Sequence, residues 1–177
     1  IILEMNCLHW FESKQLDRVT NYSSRTESIY CIKETGGKVC YYCSFRSKKV
    51  YYGLEGFIKY LGVFKNKYIK YLEFRLLVML KALLVVISSN ENVLIVNQDL
   101  VGFIMPALWI NRILRRRNRF VLDVRTLPTV PETFEKDMNT YKKQIHTAVA
   151  YFDGLSFITP FLERVSLKSY KKHPKTV

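Results

Sequence analysis

Three short apolar runs in the second half of the chain each end in polar residues, and helix-like sequence follows each of them. Val93-Leu94-Ile95-Val96 leads into Asn97-Gln98-Asp99, Phe120-Val121-Leu122 into Asp123-Val124-Arg125-Thr126, and Leu155-Ser156-Phe157-Ile158 into Thr159. Near-continuous aliphatic and β-branched runs of this length read as strands buried on both faces, as in a parallel sheet covered by helices. Ligands of such open sheets bind beyond the carboxyl ends of the strands. The polar tips are therefore where chemistry is expected.

The remaining segments extend the same alternation. Ile1–Met5 reads as a first strand with Asn6, Cys7, Leu8 and His9 at its tip. A short helix carrying Ile29 and Ile32 ends at Gly36-Gly37, residues that take the left-handed cap conformation without steric cost. Lys38–Phe45 reads as a second strand and Lys49–Tyr52 as a third. From Lys67 to Ser88 the pattern turns helical, with Ile69, Leu72, Leu76, Leu80, Leu83 and Ile87 on one face, expected to pack against the sheet. A helix from about Phe103 to Arg117 should hold Pro106 in its first turn and close on Arg115, Arg116 and Arg117, against the negative end of its dipole. After the strand Arg119–Val124, Pro131-Glu132 opens a helix with the stripe Phe134, Met138, Tyr141, Ile145, Val149 and Phe152, ended by Gly154. Leu155–Ile158 is a further strand, Pro160 opens a helix through Tyr170, and Lys175–Val177 begins another strand. The expectation is one α/β domain over residues 1–177, doubly wound, with a mainly parallel sheet and helices on both faces.

Length and composition fit one domain with a sizeable core: 177 residues, 49% of them hydrophobic, are incompatible with a disordered chain. Lys and Arg number 28 against 15 Asp and Glu, a net charge of +13, which calls for an anionic partner: nucleic acid, a membrane surface or phosphorylated substrates. The chain opens on Ile1 rather than methionine and is read as trimmed, with no signal peptide in view. The apolar stretch Leu76–Ile87 contains Lys81 and falls short of the roughly 20 residues of a membrane span. Cys40 and Cys43 form a C-x-x-C pair inside a strand-like run, where residues three apart point to opposite faces, so free thiols in a reducing cytosol are expected. A zinc site from Cys7, His9 and that pair is the alternative.

The order of these elements carries a family resemblance. Glu91 to Asp99 resembles the strand and polar tip in the N-terminal domain of GT-B glycosyltransferases, especially the family 4-like group. Phe120-Val121-Leu122-Asp123-Val124-Arg125-Thr126-Leu127-Pro128 is similar to that group's next strand and tip, and Tyr151 to Thr159 to its recurrent Ala-Asp strand phrase. The sequence departs from the pattern at three places. Asn6 to Phe11 lacks the glycine-rich turn, Thr126 replaces the usual Asp, and Thr159-Pro160 replaces the usual Ser.

The resemblance implies the acceptor-side half of a retaining transferase, one that moves a sugar from a nucleotide-sugar donor to a glycan or lipid-linked acceptor. It implies no metal and no cofactor, the nucleotide sugar being substrate. The donor would be held mainly by a second domain with a Glu-x7-Glu motif and a glycine-rich loop, absent from this sequence. A fragment of this kind is expected to have no transferase activity alone.

Arg125 is the residue expected to carry catalysis. At a strand tip its planar guanidinium can grip a phosphate or carboxylate, and in the family the matching position contributes to the active-site cleft. The alternative is a structural ion pair with Asp123, two residues back on the same strand face. Asn97, Gln98 and Asp99 either bind sugar hydroxyls or cap the next helix. Thr159 either lines the cleft or caps the helix that begins at Pro160, and Thr126 and His9 complete the candidate cleft.

Between Lys38 and Lys81 stand ten basic residues against Glu55 and Glu73, interleaved with aromatic rings. That mixture suits a helix lying on anionic lipid with Lys65, Lys67 and Lys70 facing out. A cytoplasmic protein peripheral to the membrane is expected. Two other readings are a non-catalytic membrane-recruiting subunit of a split transferase and a basic nucleic-acid-binding module. Nucleic acid is the less expected partner, because no DNA- or RNA-binding signature accompanies the charge.

Overall fold

Runs of Val, Ile and Leu that alternate faces make the strands here, and right-handed crossovers set their order. The computed structural model describes residues 4–8, 38–43, 58–60, 67–129, 131–168 and 170, with side chains described for Ile69 and from Leu72 onward within those ranges. The strands are β1 (Glu4–Leu8), β2 (Lys38–Cys43), β3 (Ile58–Tyr60), β4 (Asn92–Asn97), β5 (Arg119–Val124) and β6 (Gly154–Phe157). All pair in parallel, in the order β3-β2-β1-β4-β5-β6. This is the Rossmann order, with its topological switch point between β1 and β4.

The described helices are α1 (Lys67–Ser88), α2 (Val101–Ile113), α3 (Phe134–Tyr151) and α4 (Pro160–Leu167). The connections β3–α1–β4, β4–α2–β5 and β5–α3–β6 all step the same way along the sheet, so right-handed crossovers place all three helices on one face. Burial agrees: Leu94 and Val96 of β4 and Phe120 of β5 pack against Phe74, Val78, Ala82 and Val86 of α1 and Ile104, Ala107 and Leu108 of α2. A second cluster joins Leu122, Val124 and Leu155 to Tyr141, Ile145 and Ala148 of α3 and Leu162 and Leu167 of α4.

The sheet sits differently from expectation at both ends. The first strand is described over Glu4–Leu8 and runs on past Met5, so Asn6, Cys7 and Leu8 are inside it; Ile1–Leu3 lie outside the described residues. The third is Ile58–Tyr60; Lys49–Tyr52, the helix ending at Gly36-Gly37 and Lys175–Val177 lie outside the described residues. Gly154 does not end α3. It opens β6, and the helix stops at Phe152, whose N–H bonds the Ala148 carbonyl while its backbone turns extended. Pro106 lies in the second turn of α2, on the exposed side, where solvent can serve the carbonyl its missing N–H leaves unpaired.

The larger correction concerns α1. Ile69, Leu72, Leu76, Leu80 and Ile87 face solvent, from 42% to 56% exposed, and Leu84 joins them while Leu83 is half-buried. Phe74, Val78, Ala82, Val85 and Val86 face the sheet instead. Both stripes have helical spacing, so periodicity alone could not say which one is inward. Ala82 and the β-branched valines of the inner stripe let the helix lie close against α2 and the strands.

At the amino ends of β4 and β5, three buried asparagines tie the layers together. The Asn118 amide donates to the Ser89 carbonyl at 3.1 Å and to Asn111 Oδ1 at 3.0 Å, and its Oδ1 accepts from Asn92 N at 2.9 Å. The α2 C-terminus beside them is a Schellman turn: Arg116 N bonds the Asn111 carbonyl and Arg115 N the Arg112 carbonyl, at 2.8 and 3.0 Å. The left-handed position of such a turn is normally glycine, but here it is Arg115, with φ 50°. Arg115–Arg117 thus stand past the helix, and Arg116 Nη2 donates to the Ile87 carbonyl at the end of α1.

Candidate functional site

Parallel pairing in register brings a polar row to the carboxyl end of the sheet. Asn97 of β4 is aligned with Asp123 of β5, and Asp123 with Ser156 of β6. Aligned residues of neighbouring parallel strands share a face, so all three lie on the face opposite α1, α2 and α3. Asp123 is buried, while Asn97 and Ser156 are half-buried. Ser156 was not among the sequence candidates. The signal for it was its polar side chain inside the run Leu155-Ser156-Phe157.

Arg125 follows the last residue of β5 and returns over this row. Its Nε donates to Asp123 Oδ2 at 2.7 Å, with the Asp123 side chain 3% and the Arg125 side chain 27% exposed. A buried carboxylate without a cation would be costly, which explains why the pair forms. Only the inner edge of the guanidinium is used. Its two terminal amino groups make no hydrogen bond to any described residue and form the half of the fork that a phosphate or carboxylate would engage. The ion pair and the anion-gripping role are thus compatible: Asp123 fixes the plane and direction in which Arg125 presents its remaining donors.

The other tips divide between capping and open positions. Asn97 Oδ1 accepts from Asp99 N at 3.2 Å, so Asn97 caps the 3-10 turn Gln98–Leu100 that precedes α2. Gln98 is half-buried and Asp99 exposed beside it. Thr159 is exposed and caps α4, its hydroxyl accepting from Leu162 N at 3.2 Å, with Pro160 as first helical residue. Thr126 is exposed in the segment after β5, while Leu127 turns back onto the second core cluster. His9 lies outside the described residues. Lys65 is outside them as well, and of Lys67 and Lys70 the backbone at the start of α1 is described.

This fold has a counterpart among solved structures. The crystal structure of an α,α-trehalose-phosphate synthase (UDP-forming) from Burkholderia vietnamiensis is similar to it, with a TM-score of 0.51 at 12% identity. The match covers 96% of this chain and 43% of that one. In fold, the chain is a Rossmann-like α/β domain similar to that of a GT-B glycosyltransferase. It spans less than half the length of that neighbour. No family model and no curated protein matches the sequence.

A second concavity lies away from the strand tips, between α3 and α4. It encloses about 910 Å³ over Met138, Ile145 and Val165, with Lys142, Lys143 and Lys168 at its rim. In its wall the Tyr141 hydroxyl bonds Ser166 Oγ, which itself donates to the Leu162 carbonyl at 2.6 Å, so the phenol is the donor. Burial pushes the Tyr141 phenol above its ordinary pKa. His146 stacks on Tyr170, whose phenol burial also raises. These groups join α3 to α4 and have no place at the sheet's carboxyl edge.

Proposed function

We propose that this chain is the acceptor-binding half of a glycosyltransferase that moves a sugar from a nucleotide-sugar donor to a glycan or lipid-linked acceptor. The observation that carries the reading is Arg125, set at the carboxyl edge of a Rossmann-ordered sheet with Asp123 on its Nε and its terminal amino groups unused by described residues. In a transfer reaction the departing nucleotide phosphate gathers negative charge, and a fixed guanidinium at the cleft stabilises it. Asn97, Gln98, Asp99, Thr126, Thr159 and His9 make up the acceptor side, with Ser156 added to them. The donor's nucleotide would be held mainly by a second domain, and no metal or further cofactor enters the scheme. The protein works at the cytoplasmic face of an anionic membrane, with Lys65, Lys67 and Lys70 turned to the headgroups.

Saturation-transfer NMR of the chain with a panel of glycans and lipid-linked sugar analogues tests the acceptor side. Binding that Arg125→Lys and Ser156→Ala weaken is expected; a chain that binds no glycan at all sinks the reading. The chain alone should turn over no nucleotide sugar. The reading frame past Val177 bears on the same point, where a further strand–helix domain of about 150–200 residues is expected.

A further inference from the structure

We propose that the outward faces of α1 and α2 form one docking face for an anionic lipid bilayer, into which Trp109, Ile113 and Leu114 insert. The outer stripe of α1 runs from Ile69 to Ile87, about 27 Å at the helical rise, and its large side chains are all about half exposed. Alongside it α2 shows Trp109 at 58% and Ile113 at 72% exposure, and Leu114 follows at 46%. The two ends are tied, since Arg116 of the α2 turn caps the Ile87 carbonyl of α1. Large apolar side chains left exposed on two neighbouring helices in this number mark an interaction site.

The charges around the face identify the occupant. Exposed Arg112, Arg115 and Arg117 are interleaved with Trp109, Ile113 and Leu114 in sequence, the aromatic-plus-cation mixture that sits at a headgroup boundary. Arg117 has Glu91 at 3.8 Å, an exposed pair that leaves its charge available, and Arg112 bonds the Tyr151 carbonyl without losing its charge. Arg115 holds a left-handed backbone that glycine would hold without strain, and this places one more cation beside Leu114. A second copy of the chain is disfavoured as occupant, because two-fold pairing would set these arginines against their own kind at a net charge of +13. A nucleic acid would use the cations and leave the 27 Å leucine stripe wet. No described helix is long and apolar enough to cross a membrane, so the face lies in the interface plane.

This deepens the membrane part of the proposed function and rests on that part alone. Vesicle binding is read without donor or acceptor, so its failure leaves glycan binding standing, and the reverse also holds. The chain has two tryptophans, so Trp10→Phe leaves Trp109 as sole reporter. Vesicles of phosphatidylcholine with phosphatidylglycerol should bind the chain, shift Trp109 emission to the blue and quench it when the acyl chains carry bromine. Pure phosphatidylcholine should bind far less, and added salt should release the chain. Arg115→Gly, which relaxes the turn and cannot unfold it, should weaken binding roughly five-fold, the value of one interfacial cation. Ile113→Asn with Leu114→Asn, both on the surface, should abolish the blue shift with the circular dichroism spectrum unchanged. The proposal is overturned by vesicle binding that leaves Trp109 emission unmoved. It is equally overturned by a concentration-dependent dimer that the Ile113/Leu114 variant returns to monomer, or by oligonucleotide binding without vesicle binding.

Discussion

Arg125 donates through Nε, not through its fork, to the buried carboxylate of Asp123 at 2.7 Å. The two residues therefore differ in what their loss does. Arg125→Ala takes the cation from a carboxylate that is 3% exposed, and breaking a buried pair from the cation side costs up to about 3–5 kcal/mol. Asp123→Asn leaves a guanidinium that is already partly wet and still has an oxygen to meet, so its cost should be smaller. Urea denaturation of the two variants should give that order; equal losses would mean that the carboxylate is not dependent on Arg125. Arg125→Lys is the variant that separates fold from binding, because it keeps the charge while losing the planar donors.

The exposed stripe of α1 predicts an asymmetry between residues of similar size. Phe74→Ala opens the core cluster between α1, β4 and α2 and should cost about 3–5 kcal/mol. Leu80→Ala, on a residue 50% exposed, should stay within about 0.5 kcal/mol. Thermal or chemical melts of both decide which stripe faces the sheet; a Leu80 variant as damaging as the Phe74 variant would restore the inward reading of the leucines.

What was legible before the structure, and what was not, divides along the same lines. The limits of α1 and β5 follow from periodicity and from polar punctuation, and the parallel order follows from strands alternating with helices. The Arg125–Asp123 pair was visible because residues two apart on a strand share a face. The facing of α1 was not visible, because a helix apolar on two sides satisfies the helical template twice. Ser156 was hidden in another way: its relation to Asp123 exists only through the register between β5 and β6, which no local pattern encodes. The asparagine network was hidden for the same reason, since Asn92, Asn111 and Asn118 belong to three different elements or their flanks.

That network gives a stability prediction at the end of the sheet remote from the candidate cleft. Asn118→Ala leaves the Asn92 N–H, the Asn111 Oδ1 and the Ser89 carbonyl to find other partners. Each buried group left unsatisfied costs about 1–3 kcal/mol, so Asn118→Ala should destabilise more than Asn111→Ala, which breaks fewer of these bonds. Denaturant midpoints measure the order, and glycan binding by the folded fraction should be unchanged in both.

The Tyr141–Ser166 bond makes a prediction with a sign in pH. Burial raises the Tyr141 phenol above its ordinary value, so the folded chain holds that proton more tightly than the unfolded one. The resulting stability is complete below the unfolded phenol value, near 10, and declines as pH rises from there toward the folded value. Tyr141→Phe removes this contribution, so its melting temperature should fall less steeply with pH above about 10 than that of the parent chain. At neutral pH the same variant should cost about 0.5–1.5 kcal/mol, the net value of one hydrogen bond, because Ser166 still has the Leu162 carbonyl. Ser166→Ala should cost more than Tyr141→Phe, since it leaves the buried phenol with no acceptor. Parallel pH–stability profiles for the Phe variant and the parent would rule Tyr141 out as the source of the alkaline decline.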